Sequence, residues 1–289
     1  MSVENSIQKK PSWLKRRIPA GSAHEKVRNL MDRSRLHTVC QEAKCPNIWE
    51  CFSSQTATFL ILGSRCTRNC GFCAVAGGTP DPLDPQEPEK IAEAAKEMML
   101  EYVVVTSVTR DDLEDGGAHL FAETIRALRK KIPEIMIEVL IPDFQGRAGA
   151  LEIIVSARPQ VLNHNLETVP SLYDTVRPQA VYGRSLSLLK RAKKWDPALQ
   201  TKSGLMLGLG ETPGELEQTL KDLLKTGCRM LTLGQYLQPS RNHLPVVRFI
   251  PPEEFDQWKE TALNLGFDQV ASGPFVRSSY HAKTLFEPV

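Results

Sequence analysis

The residues best suited to chemistry are three cysteines in one short run, Cys66-Thr-Arg-Asn-Cys70-Gly-Phe-Cys73. The run begins where the apolar stretch Ala57-Thr-Phe-Leu-Ile-Leu-Gly63 breaks off. Three thiolates on one tight loop point to a metal centre. A structural zinc site would bring four protein ligands, commonly as two cysteine pairs, and here no histidine or fourth cysteine lies in local reach. An iron-sulfur cube held by three cysteines keeps one iron open for a substrate or cosubstrate. Another triplet lies just upstream, Cys40-Gln-Glu-Ala-Lys-Cys45-Pro-Asn-Ile-Trp-Glu-Cys51. Six of the seven cysteines therefore sit in two triplets within one segment. A disulfide framework fits poorly: the total is odd, nothing resembles a signal peptide, and a chain this large does not need staples. Reduced, metal-binding thiols are the expectation.

The Cys66 run resembles the signature of the radical S-adenosylmethionine (SAM) enzymes, in which SAM chelates the open iron through its amino and carboxylate groups. The two triplets in this order, together with Arg277-Ser278-Ser279-Tyr280 near the C-terminus, resemble the lipoyl synthase family, and the likeness runs from about Arg35 to Ala282. It implies two 4Fe-4S clusters and SAM. Cys66, Cys70 and Cys73 would hold the SAM-binding cluster. Cys40, Cys45 and Cys51 would hold an auxiliary cluster, with Ser279 as its fourth ligand by analogy. Ser278 is the alternative, because spacing cannot separate adjacent serines. Arg277 and Tyr280 are expected to fix the tail.

Reductive cleavage of SAM yields a 5′-deoxyadenosyl radical that takes hydrogen from an unactivated alkyl carbon, which acid-base groups cannot do. The family resemblance further implies that the auxiliary cluster is consumed as its sulfides pass to carbons 6 and 8 of a protein-bound octanoyl-lysine chain. The activity is that of a sulfurtransferase in lipoate biosynthesis. The implied partners are octanoylated carrier domains, those of 2-oxoacid dehydrogenase E2 subunits and glycine cleavage H protein, and a low-potential donor such as ferredoxin or flavodoxin. Two other readings stay open at this point: a radical SAM enzyme that uses its second cluster for electron transfer only, and a zinc-stabilised binding or structural protein.

These ligands need a scaffold. With 289 residues, 41% hydrophobic and 24% charged, the chain suits one barrel-sized domain. A formal net charge of +2 gives no global field toward nucleic acid or membrane, and no apolar run approaches a membrane span. A cytoplasmic enzyme is expected. Residues 1 to about 35 read as a basic, Pro-containing arm around Trp13 followed by a short helix near Ala23 to Arg33. The arm is either solvated surface or a docking patch for an acidic protein.

From Ala57, six β-rich runs alternate with amphipathic ones. The strands expected are 57–63, 102–107, 135–141, 161–165, 202–209 and 230–237, and the helices include 87–100, 117–131, 185–194, 214–225 and 252–265. Strands this apolar are buried on both faces, and regular crossover helices make the sheet parallel. The pattern alone leaves a doubly wound open sheet possible; the resemblance favours a partial parallel (β/α)6 barrel. The division expected is an N-terminal extension with the auxiliary cysteines (1–56), the barrel (57–268) and a C-terminal tail (269–289) with the cluster-ligating serine.

In such folds the site lies where strands end. The candidates for SAM contacts are Phe72 in the cysteine loop, Thr106 and Ser107 after the second strand, Asn163, Asn165 and Glu167 after the fourth, and Gly208 and Gly210 after the fifth. Glu211 argues against a phosphate loop, because a carboxylate repels phosphate. Gly77-Gly78-Thr79-Pro80 could admit SAM to the backbone, and Gln235 to Arg248 would form the far wall. His243 alone is read as a surface residue, and Cys228 as an unliganded core thiol.

Overall fold

A computed structural model describes residues 9–15, 23–53 and 58–286. Much of the basic arm and the first residue of the first expected strand, Ala57, lie outside the described residues. Helix α1 (Ala23–Ser34) leads into strand β1 (His37–Thr38) and two short helices, α2 (Val39–Glu42) and α3 (Ile48–Ser53). Cys40 is on α2, Cys45 is in the link and Cys51 is on α3. The Thr38 hydroxyl accepts from the Gln41 amide and caps α2.

Strand β2 (Thr58–Ile61) enters the sheet, and two small strands, β3 (Arg65–Cys66) and β4 (Ala76–Gly77), bracket the second triplet. Crossover units follow as α4 (Glu87–Glu97), β5 (Tyr102–Ser107), α5 (Ala118–Lys131), β6 (Met136–Leu140), α6 (Ala148–Ser156) and β7 (Val161–Asn163). Beyond β7 lie α7 (Tyr173–Val176), α8 (Tyr182–Trp195), β8 (Gln200–Leu207), α9 (Pro213–Lys225), β9 (Met230–Gln235), α10 (Pro252–Leu265), β10 (Gln269–Gly273) and α11 (Ala282–Phe286).

The main sheet runs β1-β2-β5-β6-β7-β8-β9-β10, parallel throughout except that β1 pairs antiparallel with β2. Among the described residues its two edges do not pair with each other, so the barrel is partial, as expected. All six expected strands form, with ends shifted by up to two residues, because the last residues of each run leave the ladder to build loops. A seventh parallel strand, β10, was not expected and falls in the segment read as tail. It pairs with β9 alone, and its sequence Gln-Val-Ala-Ser-Gly is half polar and only partly buried, as suits an edge.

The helices end where local chemistry dictates. Thr212 and Glu215 form a reciprocal capping box at the start of α9, with Pro213 in the first turn. Helix α5 ends in Arg129, Lys130 and Lys131, opposite in sign to the helix C-terminus. Val27, Leu30 and Met31 of α1 share one apolar core with Phe59, Val103, Val105 and Leu231 of the sheet, so the N-terminal extension is packed into the barrel rather than appended to it.

Two further features hold the interior. Lys202 and Glu138, both wholly buried, pair across β8 and β6 at 2.9 and 3.1 Å, and the carboxylate also accepts from Tyr102 Oη at 2.7 Å and Asn163 Nδ2 at 3.1 Å. Every carboxylate lone pair in sight of the lysine is used, which is the condition for a buried pair to be tolerated. Below it, α11 lies across the N-terminal ends of the strands: Leu285 packs on Val161 and Met230, and the Phe286 ring sits 6.0 Å from that of Tyr102. Among the described residues no helix is long and apolar enough to cross a membrane.

Candidate active site

The loop after β2 is held from four directions before any ligand is considered. The Gly71 amide donates to the Val176 carbonyl at 3.0 Å, and the Gly71 carbonyl accepts from the Leu244 amide at 3.0 Å. His243 Nε2 reaches the Cys73 carbonyl at 2.9 Å, so this histidine positions the loop rather than facing solvent. Thr67 and Thr109 join the loop to the segment after β5. Arg68 is nearly buried between two carboxylates, with Asp111 engaged at 2.7 and 3.0 Å and Asp143 at 2.6 Å. Burial alone would raise the Asp143 carboxyl, but the Arg68 hydrogen bond and charge overcome it and hold the group down at about 2. The acidic run after β5 is thus a frame: Arg110 is also buried, bound to Asp112 and to the Leu62 and Asp81 carbonyls.

A cavity of about 550 Å³ opens at the C-terminal ends of the strands and continues into the barrel. All six triplet cysteines line it, with Phe72, Thr106, Ser107, Asn165, Glu167, Ser278 and Ser279. Lys10 of the basic arm reaches its lining as well. Asn163, Gly208 and Gly210 are not among the residues that line it. The Asn163 side-chain amide donates to Glu138. Gly208 has φ +97°, and a Cβ there would stand 2.3 Å from the Arg248 carbonyl oxygen; the close approach that demands glycine is made by the chain itself. Glu211 then closes the turn by accepting from the Gly208, Leu209 and Gly210 amides. Cys228 is a core thiol, as expected, donating to the Thr201 and Met230 carbonyls.

The tail enters this cavity. The Val276 carbonyl stands where a Cβ on residue 234 would lie, at 2.1 Å, so Gly234 makes room for it. Asn165 Nδ2 donates to Ser278 Oγ at 2.6 Å, and Thr58 Oγ1 donates to Ser279 Oγ at 2.8 Å. The same tail is stapled to the first triplet: Tyr280 Oη donates to Glu50 at 2.7 Å, and Asn47 Nδ2 to the Phe275 carbonyl at 2.7 Å. Asn47 and Glu50 both lie between Cys45 and Cys51.

The donor sets fit iron-sulfur clusters. Burial pushes the Cys40 thiol up to about 11 and Cys73 up to about 12, and raises Cys70 as well. These groups are therefore neutral at pH 7 until a cation displaces their protons. Cys66 Sγ accepts from the Arg68 and Thr109 amides at 3.4 and 3.3 Å, the kind of hydrogen bond that stabilises a ligating sulfur. Among the described residues no three His, Cys, Asp or Glu side chains converge on one ion position; a cube asks for something else, since each of its thiolates binds a separate iron.

Beside the Cys66 loop, several buried polar atoms lack partners among the described residues, including Ser107 Oγ, Asn165 Oδ1 and Arg177 Nε. Burial pushes the Glu167 carboxyl up, with the nearby Arg177 charge opposing it. His164 is pushed down to about 4 by burial, donating from Nδ1 to the Ile141 carbonyl at 2.8 Å and accepting at Nε2 from Ser185 at 2.9 Å. It is a neutral wall residue. Orphaned donors and acceptors of both kinds suit a zwitterionic ligand such as SAM. Arg177 was missed by sequence reasoning, as were Thr58 and Asn47, because each is a single polar residue with no local pattern around it.

The partial barrel with a three-cysteine loop after its first parallel strand defines a radical SAM enzyme, and a model of the Radical SAM superfamily matches residues 60–223. The structure of methylornithine synthase (PylB) resembles this one with a TM-score of 0.51 at 15% identity, over 87% of this chain and 82% of that one. HydG, a maturase of the [FeFe]-hydrogenase, does so with a TM-score of 0.56 at 13% identity, over 85% and 65%. At such identities the likeness concerns the fold. The chain belongs to the lipoyl synthase family: its residues 2–45 match the model of the N-terminal domain of lipoyl synthase, and curated lipoyl synthases are similar over nearly all of it. That of Caldicellulosiruptor saccharolyticus is 58% identical over 95% of this chain and 96% of its own. That of Chlorobaculum tepidum is 56% identical over 97% of each, and that of Rubrobacter xylanophilus is 54% identical over 94% and 85%. Membership in the superfamily implies a 4Fe-4S cluster and SAM.

Proposed function

We propose that this chain inserts two sulfur atoms at carbons 6 and 8 of an octanoyl chain amide-linked to a lysine of a carrier domain, with the sulfur drawn from a second, auxiliary 4Fe-4S cluster. One observation carries the reading: both cysteine triplets and the two tail serines line a single cavity, so the radical source and the sulfur source would face the same alkyl chain. When bound, the clusters and SAM supply the 5′-deoxyadenosyl radical and the sulfur; the chain supplies their positions.

In this reading Cys66, Cys70 and Cys73 hold the SAM-binding cluster, on a loop kept rigid by Arg68, Asp111 and Asp143. Cys40, Cys45, Cys51 and Ser279 hold the auxiliary cluster. The choice of Ser279 over Ser278 is supported by its bond to Thr58, which lines the cavity together with Cys40, while Ser278 is taken by Asn165. Phe72, Thr106, Ser107, Asn165 and Glu167 face SAM, with Arg177 added for its carboxylate. Residues 1–56 and 269–289 act as the auxiliary-cluster extensions of a 57–268 barrel, a division supported by the Tyr280–Glu50 and Asn47–Phe275 bonds between them.

The substrate is delivered on carrier domains such as E2 subunits and H protein, and ferredoxin or flavodoxin supplies low-potential electrons. Both triplets need reduced thiols, which suits the cytoplasm. Mass analysis of an octanoyl-lysine peptide after anaerobic incubation with SAM and a low-potential reductant tests the reaction. Two added sulfurs are expected. 5′-Deoxyadenosine formed without any sulfur in the peptide would favour a second cluster used for electron transfer only.

A further inference from the structure

The two tail serines are adjacent in sequence, yet the structure gives each a different partner on a different strand. Asn165, just beyond β7, takes Ser278. Thr58, which opens β2 and is buried, takes Ser279. The two hydroxyls lie 2.8 Å apart, and either can donate, because a hydroxyl rotates to suit its partner. Once Ser279 binds a metal as an alkoxide, Thr58 is the member of the pair with a proton to give, so the contact persists and strengthens as the acceptor gains negative charge. The Thr58 side chain also lies beside Cys40, so the hydroxyl held to Ser279 stands at a cysteine assigned to the auxiliary cluster.

We infer that Thr58 is the positioning residue for the serine ligand: its hydroxyl holds the Ser279 oxygen at the auxiliary-cluster cysteines. This rests on the assignment of Ser279 to that cluster. Valine at residue 58 keeps the branched shape required in a buried strand but offers no donor, whereas serine keeps the donor with less bulk.

The test uses the full chain with Cys66, Cys70 and Cys73 replaced by alanine, so that only the auxiliary cluster loads. It is reconstituted with 57Fe and read by Mössbauer spectroscopy, which distinguishes an oxygen-ligated iron from sulfur-ligated ones. In parallel, loss of one iron on mild oxidation is followed by the EPR signal of the 3Fe-4S product. Thr58→Val should lose the oxygen-ligated component and shed that iron about tenfold faster, the scale of a hydrogen bond to a charged group. Thr58→Ser should behave as wild type at both readouts.

A valine variant with the wild-type spectrum and rate would overturn the inference. So would a serine variant as defective as the valine one, since the side chain's packing and not its hydroxyl would then matter. Should the valine variant fail to fold, Thr58→Ala gives the same comparison. Ser279→Ala is run alongside: if it leaves the oxygen-ligated component intact, the serine assignment itself fails, a result distinct from a failure of Thr58.

Discussion

Asn165 and Ser278 lie 113 positions apart in the chain, and their side chains meet at 2.6 Å inside the cavity. The same amide nitrogen donates to Glu167 at 3.0 Å, while the amide oxygen has no partner among the described residues. The contact fixes the register of the tail. With Ser278 turned toward β7, the next serine is delivered to the opposite wall, where Thr58 and the first cysteine triplet wait. A slip of one residue would exchange the two hydroxyls.

Replacement of the two serines should therefore give unequal results. Ser279→Ala should still cleave SAM but yield little or no dithiolated peptide, because the auxiliary cluster loses a ligand while the other cluster does not. Ser279→Cys should keep the cluster and also fail, since a softer, tighter ligand resists the loss of iron that accompanies sulfur donation. Ser278→Ala should be comparatively mild. Product ratios by mass spectrometry decide it; exchanged phenotypes for the two alanine variants would assign the ligand to Ser278.

Much of this geometry was legible in the sequence, for a physical reason. Thiolate chemistry needs several cysteines at once, so Cys66, Cys70 and Cys73 announce themselves by spacing, and buried parallel strands announce themselves by apolar runs. What escaped was chemistry carried by one residue at a time. Thr58 reads as an ordinary strand residue and Arg177 as a surface cation; only the fold buries them beside the cysteines. The edge strand β10 escaped because one neighbour and partial exposure leave it half polar. Gly208 is hard to read for the converse reason: glycine records a close approach without recording of what, and the neighbour that the fold shows is the Arg248 carbonyl.

The two triplets should separate by iron content and by product. Wild-type chain, reconstituted anaerobically, should carry about eight irons, and a chain lacking either triplet about four. Alanine at Cys66, Cys70 or Cys73 should abolish SAM cleavage. Alanine at Cys40, Cys45 or Cys51 should leave 5′-deoxyadenosine formation measurable while sulfur insertion stops. Dithiolated peptide from a Cys40, Cys45 or Cys51 variant would show that the sulfur comes from elsewhere.

The buried Lys202–Glu138 pair makes a prediction about stability alone. Neither group reaches solvent, so removing one leaves the other charged in the barrel with nothing to neutralise it. Lys202→Met or Glu138→Leu should each cost about 3–5 kcal/mol in chemical unfolding, whereas the double substitution should cost much less than the sum. Additive losses would mean that the two side chains are not a coupled pair.

The last prediction concerns acid and the cysteine loop. The Asp143 carboxyl lies at about 2 in the folded chain, below the ordinary carboxylate value, because Arg68 outweighs the effect of burial. A depressed folded value means that the stabilisation is fully present above the unfolded value near 4 and is lost as pH falls toward 2. At neutral pH it amounts to about 2 kcal/mol on the scale of the shift. Asp143→Asn cannot gain or lose that charge. Unfolding free energies of the cluster-free chain should therefore show wild type ahead of the variant at pH 7, with the gap shrinking steadily between about pH 4 and pH 2. Since Arg68 belongs to the loop that carries Cys66 and Cys70, the variant should also incorporate iron into that triplet more slowly at neutral pH. A gap that does not change with pH would mean that Asp143 stabilises the loop by packing, and that its charge on Arg68 contributes nothing.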